Sequence, residues 1–192
     1  GMQSTGGILV TWTNSTDGES RINGSFLERR NATLSNGGCG TFSSSYTGIV
    51  ANDTDSSYTD TVTTGCYQYQ VVNQNAARLN SSNITTTNTI LVDTNGSTGG
   101  SITSPNGYQS SGSITLTWTN DTDTESLVNG SFLERRNATL TDGGCGTFSS
   151  SYTGLAANDT DSSYVDTVTT GCYQYQVINR NGIGLNSTSN IT

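Results

Sequence analysis

The chain has 192 residues, a formal net charge of −8 and no histidine, and its seven basic residues are all arginine. Without histidine there is no Ser-His-Asp or Cys-His catalysis, and without lysine there is no Schiff base, Walker-type phosphate lysine or Lys–Asn isopeptide crosslink. The acidic balance argues against a nucleic-acid partner, and no apolar run approaches the roughly 18 residues of a membrane span, so no membrane insertion is expected.

Hydrophobic residues make up 30% of the chain and charged residues 11%, while 27 Ser and 34 Thr fill the gap. Such a chain folds only if its few apolar residues are regularly placed, and they are. In chain order, Ile8, Val10 and Trp12 alternate with Leu9 and Thr11, which predicts a strand with one face in the core. The polar turn NSTDGES (14–20) follows, then a strand through FLERR (26–30). Adjacent strand residues face opposite ways, so one of Arg29 and Arg30 lies toward the core side and pairs across strands with an acid. Phe26 and Leu27 divide in the same manner, with Phe26 assigned to the outside. An excursion through SNGGCG (35–40) and ANDTDSS (51–57) leads to Asp60-Thr-Val and Gly65. Tyr67, Tyr69 and Val71 then alternate with Gln68 and Gln70, and TTNTILVDT (86–94) reads as the closing strand. No segment has helical periodicity.

Residues 118–178 repeat residues 12–72 at an offset of 106, and 1–82 aligned with 107–188 is identical at 62 of 82 positions. That period is the size of a whole domain rather than of a solenoid repeat. Two tandem all-β domains are expected, over 1–93 and 94–192. Residues 1–7 match 107–113, so the Gly-Met start reads as native sequence, with Met2 opposite Tyr108. Residues 86–106 have no counterpart after the second copy. The second domain is therefore expected to lack its final (G) strand, the chain starting and stopping within a repeat.

The order of landmarks is a Trp strand, an Asp-containing turn, FLERR, a long excursion, Y-x-Y-x-V and then N-x-N. It resembles a fibronectin type III domain, an Ig-like β-sandwich, over nearly the whole chain. The resemblance implies that Trp12 and Trp118 are core tryptophans and that Tyr67 and Tyr173 are tyrosine-corner residues. The chain departs from that pattern in having a single proline and a long region after the third strand. It is also similar to the disulfide-bearing repeats of large secreted or cell-surface bacterial proteins of this kind.

The four cysteines form two pairs, each 27 residues apart, with neither C-x-x-C nor histidine to suggest zinc. The simplest pairing is Cys39–Cys66 and Cys145–Cys172, with four buried free thiols as the alternative. Disulfides imply an oxidising, extracellular or cell-surface setting. Thirteen of the 20 asparagines stand in N-x-S/T: Asn14, Asn23, Asn31, Asn52, Asn80, Asn83, Asn95, Asn120, Asn129, Asn137, Asn158, Asn186 and Asn190. This is about twice the number that Ser/Thr frequency alone produces, and covalent N-glycans are the corresponding expectation, polar turns the alternative.

Asp121, Asp123 and Glu125 place oxygens at alternate positions, the pattern of a calcium candidate. Against it, no glycine-turn EF-hand pattern follows and the first copy has Ser15 in place of Asp121, which favours a solvated turn. Asp53 with Asp55, and Asp159 with Asp161, are paired carboxylates of the kind a glycosidase uses. They occur twice on a small sandwich, and no enzyme activity and no cofactor are expected.

The function expected from these residues is structural: a glycosylated repeat segment or subunit of an extracellular filament or stalk. Its partners would be neighbouring repeats or identical subunits, joined head to tail by β-strand addition. The alternatives are an adhesin or carbohydrate-binding module whose loops contact glycans, and accessory domains of a secreted hydrolase.

Overall fold

Thr, Val, Ile and Tyr at alternate positions suit a pleated surface, and the computed structural model of the protein consists of strands and turns. It describes residues 1–53, 55–81, 84–85, 88–159, 162–187 and 190–191. Among these, no helix is long and apolar enough to cross a membrane. The chain divides into two compact units, Gly1–Asn95 and Gly96–Thr192. The division falls two residues beyond the expected 93/94 boundary. Asn95 stays with unit 1 because its backbone N–H donates to Asp93 and its side-chain amide to Thr64.

Unit 1 contains β1 (Met2–Gln3), β2 (Gly7–Thr11), β3 (Ile22–Ala32), β4 (Leu34–Ser35) and β5 (Gly38–Cys39). It continues with β6 (Thr47–Asp53), β7 (Ser57–Thr61), β8 (Gly65–Asn75), β9 (Ile84–Thr85) and β10 (Ile90–Val92). One sheet runs β1-β10-β8-β3-β6, with β9 also on β8, and the other is β2-β7. Ile8 and Val10 of β2 meet Leu27, Tyr69, Val71 and Val92 of the larger sheet in one buried cluster. This is a two-sheet sandwich.

Unit 2 contains β11 (Ser101–Thr103), β12 (Ser113–Thr119), β13 (Val128–Ala138), β14 (Leu140–Thr141) and β15 (Gly144–Cys145). It ends with β16 (Thr153–Asp159), β17 (Ser163–Thr167), β18 (Cys172–Asn181) and β19 (Asn190–Ile191). Its sheets are β11-β12-β17 and β16-β13-β18-β19. Leu116, Trp118, Leu133, Tyr175 and Val177 form the core. The register shift of β3 against β6 between Ser25 and Leu27 recurs in β13 against β16 between Ser131 and Leu133. The bulge therefore belongs to the repeated sequence.

The alternation is kept in β2, where Ile8 and Val10 are buried and Leu9 is exposed. It is lost in β8, a central strand: Gln70 was expected to face solvent but is buried. Its outer face is covered by polar partners, Gln70 donating to Glu28 and Gln68 donating to Thr89 while accepting from Arg30. In β3, Leu27 is fully buried and Phe26 half-buried.

The two units differ at their edges. In unit 1, β10 pairs antiparallel with the start of β8, Ile90 opposite Tyr67, Leu91 opposite Cys66 and Val92 opposite Gly65. In unit 2, Asn137 and Ala138 of β13 lie opposite Tyr173 and Cys172, and among the described residues no second strand pairs with them on the other side. Conversely, β11 pairs with β12 in unit 2, and no described strand takes that place beside β2.

Candidate functional site

The disulfide clamp starts from a turn. Asn36 and Gly37 have φ of 51° and 70°, and Asp142 and Gly143 have φ of 51° and 75°. Two positive φ values in a two-residue loop are the type I′ hairpin that Asn-Gly and Asp-Gly favour. The turns fold β4 onto β5 and β14 onto β15, setting Cys39 opposite Leu34 and Cys145 opposite Leu140. Cys39 is bonded to Cys66 and Cys145 to Cys172, each with Cα atoms 5.8 Å apart, and there is no free cysteine. The clamp ties the long excursion to the start of β8 or β18.

The sandwich of each unit is pinned inside by three side chains. Asp60, on the β2-β7 sheet, accepts from Arg29 Nη1 at 2.7 Å and from the Tyr69 hydroxyl at 2.9 Å, both on the opposite sheet. In unit 2, Asp166 takes both of its bonds to Arg135 through Nη1 and accepts from Tyr175 at 2.9 Å. Burial first, and the adjacent Asp60 second, hold the Tyr69 hydroxyl far above the usual tyrosine range. Tyr175 is raised by the same causes. Arg29 also lies over the Tyr67 ring at 5.5 Å, and Arg30 over Phe42 and Tyr46 at 5.5 and 4.8 Å. Arg135, Arg136 and Arg180 stack in the same manner on Tyr173, on Phe148 and Tyr152, and on Phe132. A planar guanidinium both stacks and forks, as an ammonium does not, which gives a reason for arginine at these places. Sequence reasoning divided the Arg pair between faces but missed the rings, because they come from β8 and β18 and from the connecting segments before β6 and β16, which approach the arginines only in the folded unit.

The expected core residues are unequally covered. Trp118 is 5% exposed and lies opposite Ile102 of β11, whereas Trp12 is half-buried. Tyr67 is buried and its hydroxyl donates to the Thr63 carbonyl at 2.8 Å; Tyr173 makes the same bond to Thr169 at 2.9 Å but is only half-buried. The tyrosine-corner bond is present in both units, and the burial differs because β10 covers only the first.

The acidic turn is internally occupied. Asp123 accepts from the backbone N–H groups of Glu125 and Ser126, at 3.0 and 2.7 Å, and from Asn181 at 3.0 Å. Asp121 accepts from the Gly100 N–H and the Ser97 hydroxyl, and Glu125 from Thr124. In unit 1, the N–H groups of Ser20 and Glu19 and the Asn75 amide draw the Asp17 carboxyl down to about 2, the Ser20 bond being the largest cause. These carboxylates cap turns. Asp161 and the side chains of Asp53 and Asp159 lie outside the described residues.

Of the sequon asparagines, Asn23, Asn31, Asn80, Asn95, Asn120, Asn129, Asn137 and Asn186 are exposed. Asn14 is half-buried and fully engaged. Its Oδ1 accepts from the Trp12 indole at 3.0 Å and from Ser25 at 2.9 Å, and its Nδ2 donates to Ser56 at 2.9 Å. Asn83 lies outside the described residues, as do the side chains of Asn52, Asn158 and Asn190.

Beside the start of β18, on the side away from β13, lies a groove of about 490 Å³, lined by Ile114, Leu140, Phe148, Val168, Cys172 and Tyr173 among others. Tyr108, 77% exposed, stands at its rim with its hydroxyl donating to the Gly143 carbonyl. Neither the width of the groove nor the place of Tyr108 was legible in the sequence.

No protein-family model and no curated protein matches this chain. Three of the solved structures it is similar to are of fibronectin type III domains. These are the FN1–FN3 domains of chicken contactin CNTN1 (14% identity, 100% of this chain, 64% of that one, TM-score 0.39), the fibronectin(III)-like modules of Clostridium thermocellum CbhA (11%, 99%, 84%, 0.39), and a two-domain fibronectin type III segment of chicken tenascin (13%, 98%, 91%, 0.36). The chain thus spans less than two thirds of the contactin fragment, 64% of its length. The class is set by the chain's own strand order, cross-sheet core and tyrosine corners: two tandem fibronectin type III-like β-sandwiches, each closed by one disulfide.

Proposed function

We propose that the protein is a non-catalytic structural module of an extracellular surface, a repeat segment or subunit of a filament or stalk that carries N-linked glycans. The observation that carries this reading is the duplication of one disulfide-closed sandwich. Two sandwiches identical at 62 of 82 aligned positions share the disulfide and the Arg–Asp–Tyr pin. In unit 1, β10 pairs with the start of β8, and in unit 2, β11 pairs with β12. Two disulfides fit an oxidising compartment. Eight exposed sequons fit a glycan coat over a weakly charged surface. The partners in this reading are further repeats and the attached glycans.

The test is native material. Surface fibres isolated from the source cells and imaged by electron microscopy should show sandwich units in series, with peptides of this chain and glycosylated asparagines found by mass spectrometry. Recovery of the protein only as a soluble species that binds a glycan array tightly and saturably would replace this reading with the adhesin one.

A further inference from the structure

We propose that residues 97–103 are a strap with two positions on unit 2, and that the buried Asp121 carboxylate is the latch that decides between them. Closed, the carboxylate holds the strap. Open, it turns instead to Asn179, inside the unit. The array reading above gives the strap its role, as the connector that leads from one repeat into the next.

The closed position is the one in the structure. Asp121 accepts from the Gly100 N–H and from the Ser97 hydroxyl, and both Asp121 and Ser97 are buried. Thr98 and Thr122 exchange backbone bonds at 3.0 and 2.8 Å. Beyond them the Ser101 N–H donates to Thr119 Oγ1 at 3.0 Å, and Ile102 of β11 lies opposite Trp118. The strap is shaped for this close approach. Gly99 has φ of 97°, and a Cβ on Gly100 would lie 1.9 Å from Asp121 Oδ1.

Closing has a cost inside unit 2. Asn179 Nδ2 and Trp118 Nε1, each in a buried residue, have no hydrogen-bond partner among the described residues. Unit 1 shows which partners the repeat offers them. There Asn73 Nδ2 donates to Ser15 Oγ at 2.7 Å, and the Trp12 indole donates to Asn14 at 3.0 Å. Asn73 and Asn179 hold one place in the repeat, as do Ser15 and Asp121. Both asparagines accept the same 2.6 Å bond, from Ser25 and from Ser131. Asn179 is therefore set as Asn73 is. What differs is that the residue in the place of Ser15 is bonded to the strap. A buried donor left unpaired costs free energy of the same order as a bond gained, so strap and network compete for one carboxylate. Bonds to a carboxylate are the stronger kind, which favours the closed position. Opening restores the Asn179 bond, lets the Trp118 indole reach Asn120 as Trp12 reaches Asn14, and adds residues 97–103 to the free length of the connector.

The experiment compares the intact 192-residue protein with Asp121→Ser, which puts the residue of unit 1 at the latch, and with Gly100→Ala, which blocks the latch from the strap side and leaves the core untouched. In both variants amide exchange at 97–103 should quicken at least about tenfold, the equivalent of one bond to a charged group, while exchange at 175–179 stays at the parent rate or slows. In nitrogen-labelled protein the Asn179 side-chain amide and Trp118 indole signals should move toward those of Asn73 and Trp12. The latch is overturned if 97–103 exchange at the parent rate in both variants, if 175–179 quicken in step with them, or if the strap opens while the Asn179 and Trp118 signals stay in place. It fails separately from the array reading. A strap that stays closed in both variants overturns the latch even where native fibres are found, and a strap that opens as stated in a protein that forms no fibres overturns the array alone.

Discussion

The Asp60 carboxylate lies 2.7 Å from Arg29 Nη1, although the two residues belong to opposite sheets of unit 1. The Tyr69 hydroxyl donates to the same carboxylate, so one acid joins β7 to both β3 and β8. Asp60 is buried but the Arg29 side chain is 33% exposed, so removing the acid should cost less than the roughly 3–5 kcal/mol of a fully buried pair, about 2–3 kcal/mol. Asp60→Ala should lower the stability of unit 1 by about that much, and Asp166→Ala that of unit 2. The exposed Glu19→Ala should stay within about 0.5 kcal/mol of the parent. Urea denaturation with a signal for each unit checks this. Equal stability of Asp60→Ala and the parent would remove the pin from the account.

The same pin sets the alkaline limit. Tyr69 and Tyr175 are held above the usual range by burial and by Asp60 and Asp166. A raised pKa means that the folded state binds the proton more tightly than the unfolded chain. The contribution is full below the unfolded tyrosine value of about 10 and is lost as pH rises beyond it. Asp17 has the opposite sign: its pKa is lowered to about 2, so its contribution is present above about pH 4 and lost as pH falls toward 2. Stability against pH should therefore be flat between roughly pH 5 and 9, with a fall on either side. Tyr69→Phe should flatten the alkaline fall of unit 1 while leaving the acid one unchanged, as read from melting temperature across pH.

Much of this architecture was legible from the residues. Alternation at Ile8, Val10 and Trp12 marks β2, and duplication marks the units. The Asn-Gly dipeptide at 36–37 marks the turn that carries Cys39. What was not legible depends on packing between sheets. Asp60 looked like a landmark because its partners, Arg29 and Tyr69, reach it only when the sandwich closes. Gln70 was assigned to solvent because alternation cannot tell that the outer face of β8 is covered by Glu28. Trp12 and Trp118 occupy one place in the repeat, yet β11 beside Trp118 makes their surroundings differ.

The two disulfides should differ in accessibility. On the loop-entropy account each 27-residue closure is worth about 3.5 kcal/mol. Leu91 packs on the cluster that contains Cys66, while Cys172 borders the open groove. Mild reductant followed by timed alkylation and mass spectrometry should label Cys145 and Cys172 before Cys39 and Cys66. Loss of the Cys145–Cys172 bond should lower the melting temperature of unit 2 first. Simultaneous labelling of both pairs would mean that β10 does not shield the first.

Asn14 separates the structural role of a sequon from its modification. Its amide bonds Trp12, Ser25 and Ser56 at once, whereas no partner is shared between Trp118 and Asn120. In unit 2 the Trp118 indole nitrogen is buried without a hydrogen-bond partner, and Asn120 accepts only from Ser131 at 2.9 Å. A sugar on Asn14 Nδ2 would have to leave beside the Ser56 bond through a half-buried site, while Asn31 and Asn137 open directly to solvent. Expression in a glycosylating secretory host should give folded protein with sugar on Asn31 and Asn137 and none on Asn14, by glycopeptide mapping. Asn14→Ala should cost about 1 kcal/mol because it leaves a half-buried indole N–H without its partner, and Asn120→Ala should cost less, because the Trp118 indole has no partner among the described residues. Full occupancy of Asn14 in folded protein would mean that the Trp12–Asn14–Ser56 network forms in some other way.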